Sequence, residues 1–448
     1  MVNWSKLLSA ERFRPSSPPS QGDEANAFHS DYYRVVFSSA FRRLQDKTQV
    51  SPLAASDFVR RRLTHSLEVA TVGERMGRVI AVKLSNRISG VPPDQIGKTV
   101  ATACLLHDIG NPPFGHEGEI AIRAWADTRA PKFHDYCAFD GNAHGFRIAA
   151  RLSHYGQSHG LNLTAATLAS IVKYPTGAAT LEDASTTKRT LIKKRGKYGY
   201  FESEKKLFET LWQRVDLPLG RRHPLSFVME AADDIVNRLV DLEDGIKLGL
   251  ISYDIVRDCL VTAAKVDFRA EKLLNELDAR YGEITKRFGA SLTPGAKKNA
   301  QQLAFQHFRT VATAAFSASA QEAFVKRIDD IEAGKFTGEL LPASDFGSLY
   351  EALRKIEYAN IFGDQSIVRV EAGGKEALRG LLDIFYKAVG NDPDFEKLGG
   401  PVEQAYVFEG EPRLDDEYVK IQRVVDYVAG MTDRFAITLY QQLSGMSL

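Results

Sequence analysis

The sequence predicts an all-α fold, and three observations carry that reading. Leu63, Leu67, Ala70, Met76, Val79, Ile80 and Val82 recur at three- and four-residue spacing, the period of one helical face. The same period runs through residues 120–125, 146–152, 161–172, 207–215 and 227–242. Alternating β-branched runs bounded by turns are scarce, which leaves room for a minor hairpin at most. At 448 residues, with 44% hydrophobic and 26% charged content, the chain can bury a large core and is ordinary for a globular protein.

Taken in order, residues 1–29 form an N-terminal extension, expected to be partly mobile because Pro15 to Gly22 is rich in proline and serine. Residues 30–250 form the helical core, and residues 251–448 an additional C-terminal helical lobe, packed on the core and available for oligomer contacts. Three loops interrupt the helical period. Residues 131–142 mix aromatic and polar side chains. Residues 175–199 carry Gly177 and the basic cluster Lys188, Arg189, Lys193, Lys194, Arg195 and Lys197. Residues 288–297 contain Gly289, Pro294 and Gly295, and open the C-terminal lobe. The apolar run Ala101 to Leu106 reads as a buried helix that ends at His107-Asp108, stopped by Gly110 and the pair Pro112-Pro113. A new helix is expected to begin near His116. No internal repeat is present.

A formal net charge of +1 gives no overall basic or acidic character that would point to nucleic acid or an acidic partner. No apolar stretch is long enough to cross a bilayer, so no membrane partner is expected. Residues 1–6 lack a signal-peptide core, and the chain reads as cytoplasmic. Cys104, Cys137 and Cys259 are too widely spaced for a disulfide framework or a zinc knuckle, and Cys104 reads as a core filler.

The chemistry concentrates around His107 and Asp108. An adjacent imidazole and carboxylate, brought to the rim of a core by a buried helix, can aim two donors at one cation. His65 and Asp233 are plausible third and fourth donors, making a nitrogen-and-oxygen set suited to Mn²⁺ or Mg²⁺, with Fe, Co or Zn as further candidates. A lone histidine is as much at home in a core, and Asp233-Asp234 is also compatible with surface charge, so the reading rests on the set. Asn237 and Asp241 follow Asp233 at i+4 and i+8 on one slowly rotating face. Asp241 is thus roughly 12 Å further along the axis, a spacing that suits one carboxylate on a metal and another on a sugar. His116 and Glu119 are helical neighbours, where a carboxylate raises the proton affinity of the imidazole and suits it to general-acid work. The competing structural reading is a capping arrangement at a helix start.

The segments Phe41 to Val50, Arg62 to Val69, His107 to Glu119 and Ala231 to Ile235 together resemble the HD-superfamily deoxynucleoside triphosphate triphosphohydrolases, the bacterial dGTPase-like enzymes. Supporting segments are Phe139 to Ala143, Lys173 to Pro175 and Phe201 to Lys205, and the resemblance is faint beyond about residue 250. It implies an HD-type core and a deoxynucleotidase that cuts between the 5′-oxygen and the α-phosphorus. It also implies that His65, His107, Asp108 and Asp233 are metal ligands and that His116 and Glu119 are the catalytic pair. By the same resemblance Arg62 and Lys173 contact phosphate, while Gln49 and Asp241 read the sugar 3′-hydroxyl. A homo-oligomer (tetramer or hexamer), a dNTP activator at a subunit interface and single-stranded DNA are the partners that relatives suggest, beside the dNTP substrate.

Two positions depart from the family pattern: Asn111, often a histidine, and Asn237, often a tyrosine beside the sugar. Deoxyribose selectivity needs close packing at the 2′ position, for which Tyr136 and Phe139 are candidates. Residues 188–197 read first as a solvated loop, with a polyphosphate clamp, a regulatory nucleotide site or a nucleic-acid contact as alternatives. Competing functions are an HD-superfamily nucleoside monophosphatase or phosphodiesterase, and a non-catalytic nucleotide or nucleic-acid-binding regulator.

Overall fold

The computed structural model describes residues 2–14, 24–49, 59–153, 159–178, 197–288, 293–361, 364–389, 398 and 416–446. The serine- and proline-rich segment 15–22 and the basic residues 188–195 lie outside these. The all-α expectation holds. Among the described residues no strand forms, and extended pairing is confined to the isolated bridges Arg12–Thr164, Thr48–Arg61 and Gly177–Tyr200.

Helices of six or more residues are numbered in chain order. Helix α1 (Glu24–Val36) packs on α3 (Pro93–Leu106), and α3 forms the most extensive helix pair among the described residues with α2 (Arg62–Lys83). Small residues permit that approach. A Cβ on Gly73 would stand 2.5 Å from Cys104 Sγ, and one on Gly77 would stand 3.1 Å from the Gly97 backbone. Any larger residue there would push apart the two helices that carry His65 and His107. Cys104 is fully buried at this contact, as a core filler should be.

Pro93 starts α3 in the position where its missing N–H costs nothing, and the helix ends at Leu106 with His107 as its C-cap. After the turn 109–114 comes α4 (Gly115–Arg129). The aromatic segment 131–142 holds a helical turn, His134–Cys137, before α5 (Gly141–Arg147), which runs on into the π-helical turn Ile148–Leu152. Helix α6 (Ala165–Ser170) is shorter than the periodicity of 161–172 suggested. Asn162 has a positive φ of 49°, and Thr164 caps the helix by accepting from Thr167 N–H. Helix α7 (Lys205–Arg214) precedes the central α8 (Pro224–Leu248), which begins at a proline and ends at the left-handed Gly249.

Helix α8 packs against α2 and α3 and is buried along almost its whole length, polar residues included. Buried carboxylates survive only with partners, so Asp233, Asp241, Glu243 and Asp244 on this helix each require an explanation. Arg60 answers for two: its guanidinium lies 2.6 Å from Asp244, 2.9 Å from Glu243 and 3.0 Å from Glu68, locking the entry of α2 to α8.

Beyond residue 250, helices α9 (Tyr253–Ala264), α10 (Phe268–Phe288), α11 (Pro294–Lys326) and α12 (Gly347–Asn360) join the same large core, with Phe305, Phe308 and Phe316 fully buried. Helices α13 (Gln365–Val389), α14 (Asp416–Ala429) and α15 (Asp433–Leu443) instead build a second core around α4, pairing Ile122, Trp125 and Phe139 with Leu378, Leu381 and Val424. Both cores therefore draw residues from either side of residue 250. The second places the last helices beside the turn that precedes His116.

Candidate metal centre and active site

Three helices deliver the four proposed ligands. His65 comes from the first turn of α2, His107 and Asp108 from the end of α3, and Asp233 from α8. Donor atoms of His65, His107 and Asp108 all lie within 4.8 Å of one another. Asp233 Oδ1 stands 3.2 Å from Nε2 of both histidines, and the two imidazole rings meet edge-on at 5.3 Å. His107 Nδ1 sits 2.6 Å from the Cys104 carbonyl, a contact that fixes the proton on Nδ1 and turns Nε2 inward. That Nε2 is buried and faces Asp233 Oδ1 at 3.2 Å and Asp108 Oδ2 at 3.3 Å without a well-directed hydrogen bond to either. Two imidazoles and two carboxylates aimed at one buried point fit a divalent cation.

In the protein alone, these groups satisfy one another electrostatically. Burial disfavours the His107 imidazolium, but the charges of Asp108 and Asp233 outweigh it and push its pKa up to about 10. Burial likewise opposes ionisation of Asp108, yet Arg62 and His107 hold its carboxyl well below the usual range, and His107 and Lys173 do the same for Asp233. A cation must displace the His107 proton, so metal affinity should strengthen as pH rises from 6 towards 10 and release about one proton per ion at neutral pH. Calorimetry with Mn²⁺ in buffers of differing ionisation enthalpy would measure this. Affinity independent of pH across that range would contradict it.

The predicted phosphate contacts sit against the ligand carboxylates. Arg62 Nη1 is 2.5 Å from Asp108 Oδ2, and Lys173 Nζ is 3.1 Å from Asp233 Oδ2. Asn111 Nδ2 donates to Asp108 Oδ1 at 2.5 Å and so steadies a proposed ligand. Asn237 donates to Asp233 Oδ1 at 2.7 Å and accepts from Gln49 Nε2 at 2.8 Å, giving a polar line from the metal set to Gln49. Gln49 Oε1 and Asp241 Oδ1 end buried without partners. Burial pushes the Asp241 carboxyl up to about 8, with Arg238 opposing and Asp244 and Asp233 adding to the rise.

His116 and Glu119 form a pair of contrasting exposure. The His116 side chain is 68% exposed and Glu119 5%. Glu119 Oε2 lies 3.0 Å from His116 Nδ1 and accepts from Arg123 at 3.1 Å, while Oε1 accepts the Gly141 N–H at 2.8 Å. Burial raises the Glu119 carboxyl, but the His116 hydrogen bond and the charges of Arg123 and Lys197 prevail and hold it below its ordinary value. An ionised, immobile carboxylate thus orients a solvent-facing imidazole, which is more than a helix cap would require. The turn before His116 is strained: Phe114 and Gly115 have φ of 60° and 55°. A left-handed phenylalanine costs about 1–2 kcal/mol and persists only where neighbours hold it.

Tyr136 and Phe139 are fully buried in the second core, Tyr136 stacked on Phe201 at 5.4 Å, and neither can pack on a sugar. The sequence reading passed over Asp433, which accepts the Phe114 N–H, and Lys47, which donates to the carbonyls of Asn111 and Ala429. Their partners are backbone groups hundreds of positions away in part, and no spacing rule reaches them.

The model of the HD domain matches residues 62–246, and that of the phosphohydrolase-associated domain matches residues 344–442. A deoxyguanosinetriphosphate triphosphohydrolase-like protein of Synechocystis sp. is 36% identical, and one of Listeria innocua 33% identical, each over the whole of both chains. The deoxyguanosinetriphosphate triphosphohydrolase of Serratia proteamaculans is 29% identical over 99% of each chain. The likeness therefore continues to the C-terminus, correcting the expectation that it fades after residue 250. Residues 344–442 match the phosphohydrolase-associated model without a metal-binding motif to advertise it. By identity and coverage, the chain belongs to the deoxyguanosinetriphosphate triphosphohydrolase-like family of HD-domain phosphohydrolases.

Proposed function

We propose that the protein hydrolyses deoxynucleoside triphosphates at the α-phosphorus, releasing deoxynucleoside and intact inorganic triphosphate. The observation that carries this reading is the convergence of His65, His107, Asp108 and Asp233 at one buried point flanked by Arg62 and Lys173. His65, His107, Asp108 and Asp233 would hold a divalent cation, Mn²⁺ or Mg²⁺ by the donor set. When bound, it supplies positive charge that polarises a phosphoryl oxygen and makes water a better nucleophile at neutral pH.

The chain's own side chains account for the rest. Arg62 and Lys173 each have a carboxylate partner and can turn part of their hydrogen-bonding capacity towards an entering polyphosphate. Their charge favours a triphosphate over a neutral ester. Gln49 Oε1 can accept from a sugar hydroxyl, and a neutral Asp241 carboxyl can donate to one, which satisfies two buried atoms otherwise unpaired. His116 gives a proton to the departing 5′-oxygen, an alkoxide that leaves poorly without one. Glu119 keeps the ring oriented.

Product identity separates this reading from a monophosphatase or phosphodiesterase built on the same metal set. The expected result with Mn²⁺ and each of the four dNTPs, alone and in pairs, is deoxynucleoside plus triphosphate, with matching ribonucleotides turned over more slowly. In ¹⁸O-water the label should enter the triphosphate and not the nucleoside. Pairs of dNTPs read whether one nucleotide activates hydrolysis of another. Release of orthophosphate or pyrophosphate alone would overturn the proposal.

A further inference from the structure

We propose that Asp433, at the start of α15, is a positioning residue that fixes the turn delivering His116. This rests on the reading of His116 as proton donor.

Phe114 and Gly115 are both left-handed, and His116 follows immediately. A phenylalanine does not hold that conformation unaided, so the surroundings must impose it. Asp433 is fully buried, and its Oδ1 accepts the Phe114 N–H at 3.0 Å. Its Oδ2 accepts the Thr48 N–H at 2.9 Å and the Thr48 hydroxyl. One carboxylate thereby ties the turn to the residue beside Gln49. Helix α13 holds the same turn from another side. The Phe114 ring lies on Gly374, where a Cβ would stand 2.6 Å from ring carbon, and the next residue, Lys375, pairs with Glu117 at 2.6 Å.

The last helices therefore grip residues on either side of His116. Both Asp433 oxygens are occupied by Thr48 and Phe114. A carboxylate in the first turn of a helix also favours that helix, so a simply structural role is the alternative to exclude. The two roles differ in one respect. Misaiming a proton donor lowers the rate only while that donor is present, whereas loosened folding affects the enzyme with or without it.

The test is a double-mutant cycle on kcat with dGTP and Mn²⁺, using Asp433→Asn and His116→Ala, with metal content and Tm recorded for each variant. Asn keeps the shape of Asp433 but sets an amide donor against one of the two backbone N–H groups. The expected result is about a tenfold or greater loss of kcat in the presence of His116, shrinking to about twofold or less in the His116→Ala background. Equal losses in both backgrounds, or no loss in either, would overturn this inference and leave the proton-donor reading standing. Full activity of His116→Ala would overturn the proton-donor reading and this one together. If Asp433→Asn does not fold, Gly374→Ala, which pushes the Phe114 ring from the opposite side, takes its place in the cycle with the same expected pattern.

Discussion

Asp108→Ala is expected to reduce turnover to assay background and to abolish stoichiometric Mn²⁺ binding. Asp108 is proposed as a ligand, and its two oxygens also accept from Arg62 and Asn111 at 2.5 Å. Removing it deletes one of the four proposed donors and leaves the largely buried Arg62 guanidinium without its carboxylate. Loss of one partner of a largely buried pair costs about 3–5 kcal/mol, so Tm should fall as well. Asp108→Asn separates the effects, because it preserves shape while discarding charge. It should remain folded and still fail to retain metal at micromolar Mn²⁺. Normal hydrolysis by either variant would show that the reaction takes place elsewhere.

His116→Ala should lower kcat by about 10²–10⁴-fold, the usual contribution of a positioned general acid, while leaving Mn²⁺ content unchanged. His116 lies outside the ligand set, and its side chain is mostly exposed, so its removal leaves the core intact. The size of the loss should depend on the leaving group. A deoxynucleoside 5′-oxygen needs a proton, whereas a p-nitrophenolate departs without one, so a nitrophenyl ester should lose far less rate. Equal losses with both substrates, or loss of metal together with activity, would contradict the role assigned to His116.

Much of this site is legible in the sequence because its chemistry is local. His107-Asp108 follows an apolar helix, His116 and Glu119 share a helical face, and Asp233 begins a polar series at i+4 and i+8. Those patterns, with the motif resemblance, single out the proposed ligands. The all-α fold is legible for a similar reason, since a helical period survives in residues 62–83 and 224–248. Boundaries are less so: α6 stops short because Thr164 caps it, a local hydrogen bond that periodicity does not register. The division of the C-terminal helices between two cores is not legible at all. It depends on which apolar faces meet, as when Leu378 and Leu381 of α13 join Ile122 and Trp125 in one buried cluster. Asp433 was invisible for the same reason, its partners Thr48 and Phe114 being more than three hundred positions away. Tyr136 and Phe139 show the opposite error, residues of suggestive chemistry that serve packing.

The most direct test is an anomalous-scattering measurement on crystals grown with Mn²⁺. A single strong peak should appear within about 2.0–2.5 Å of nitrogen on His65 and His107 and of carboxylate oxygen on Asp108 and Asp233, and should vanish in Asp108→Asn. A peak at other side chains, or one that persists in the variant, would contradict the assignment of these four residues as the metal centre.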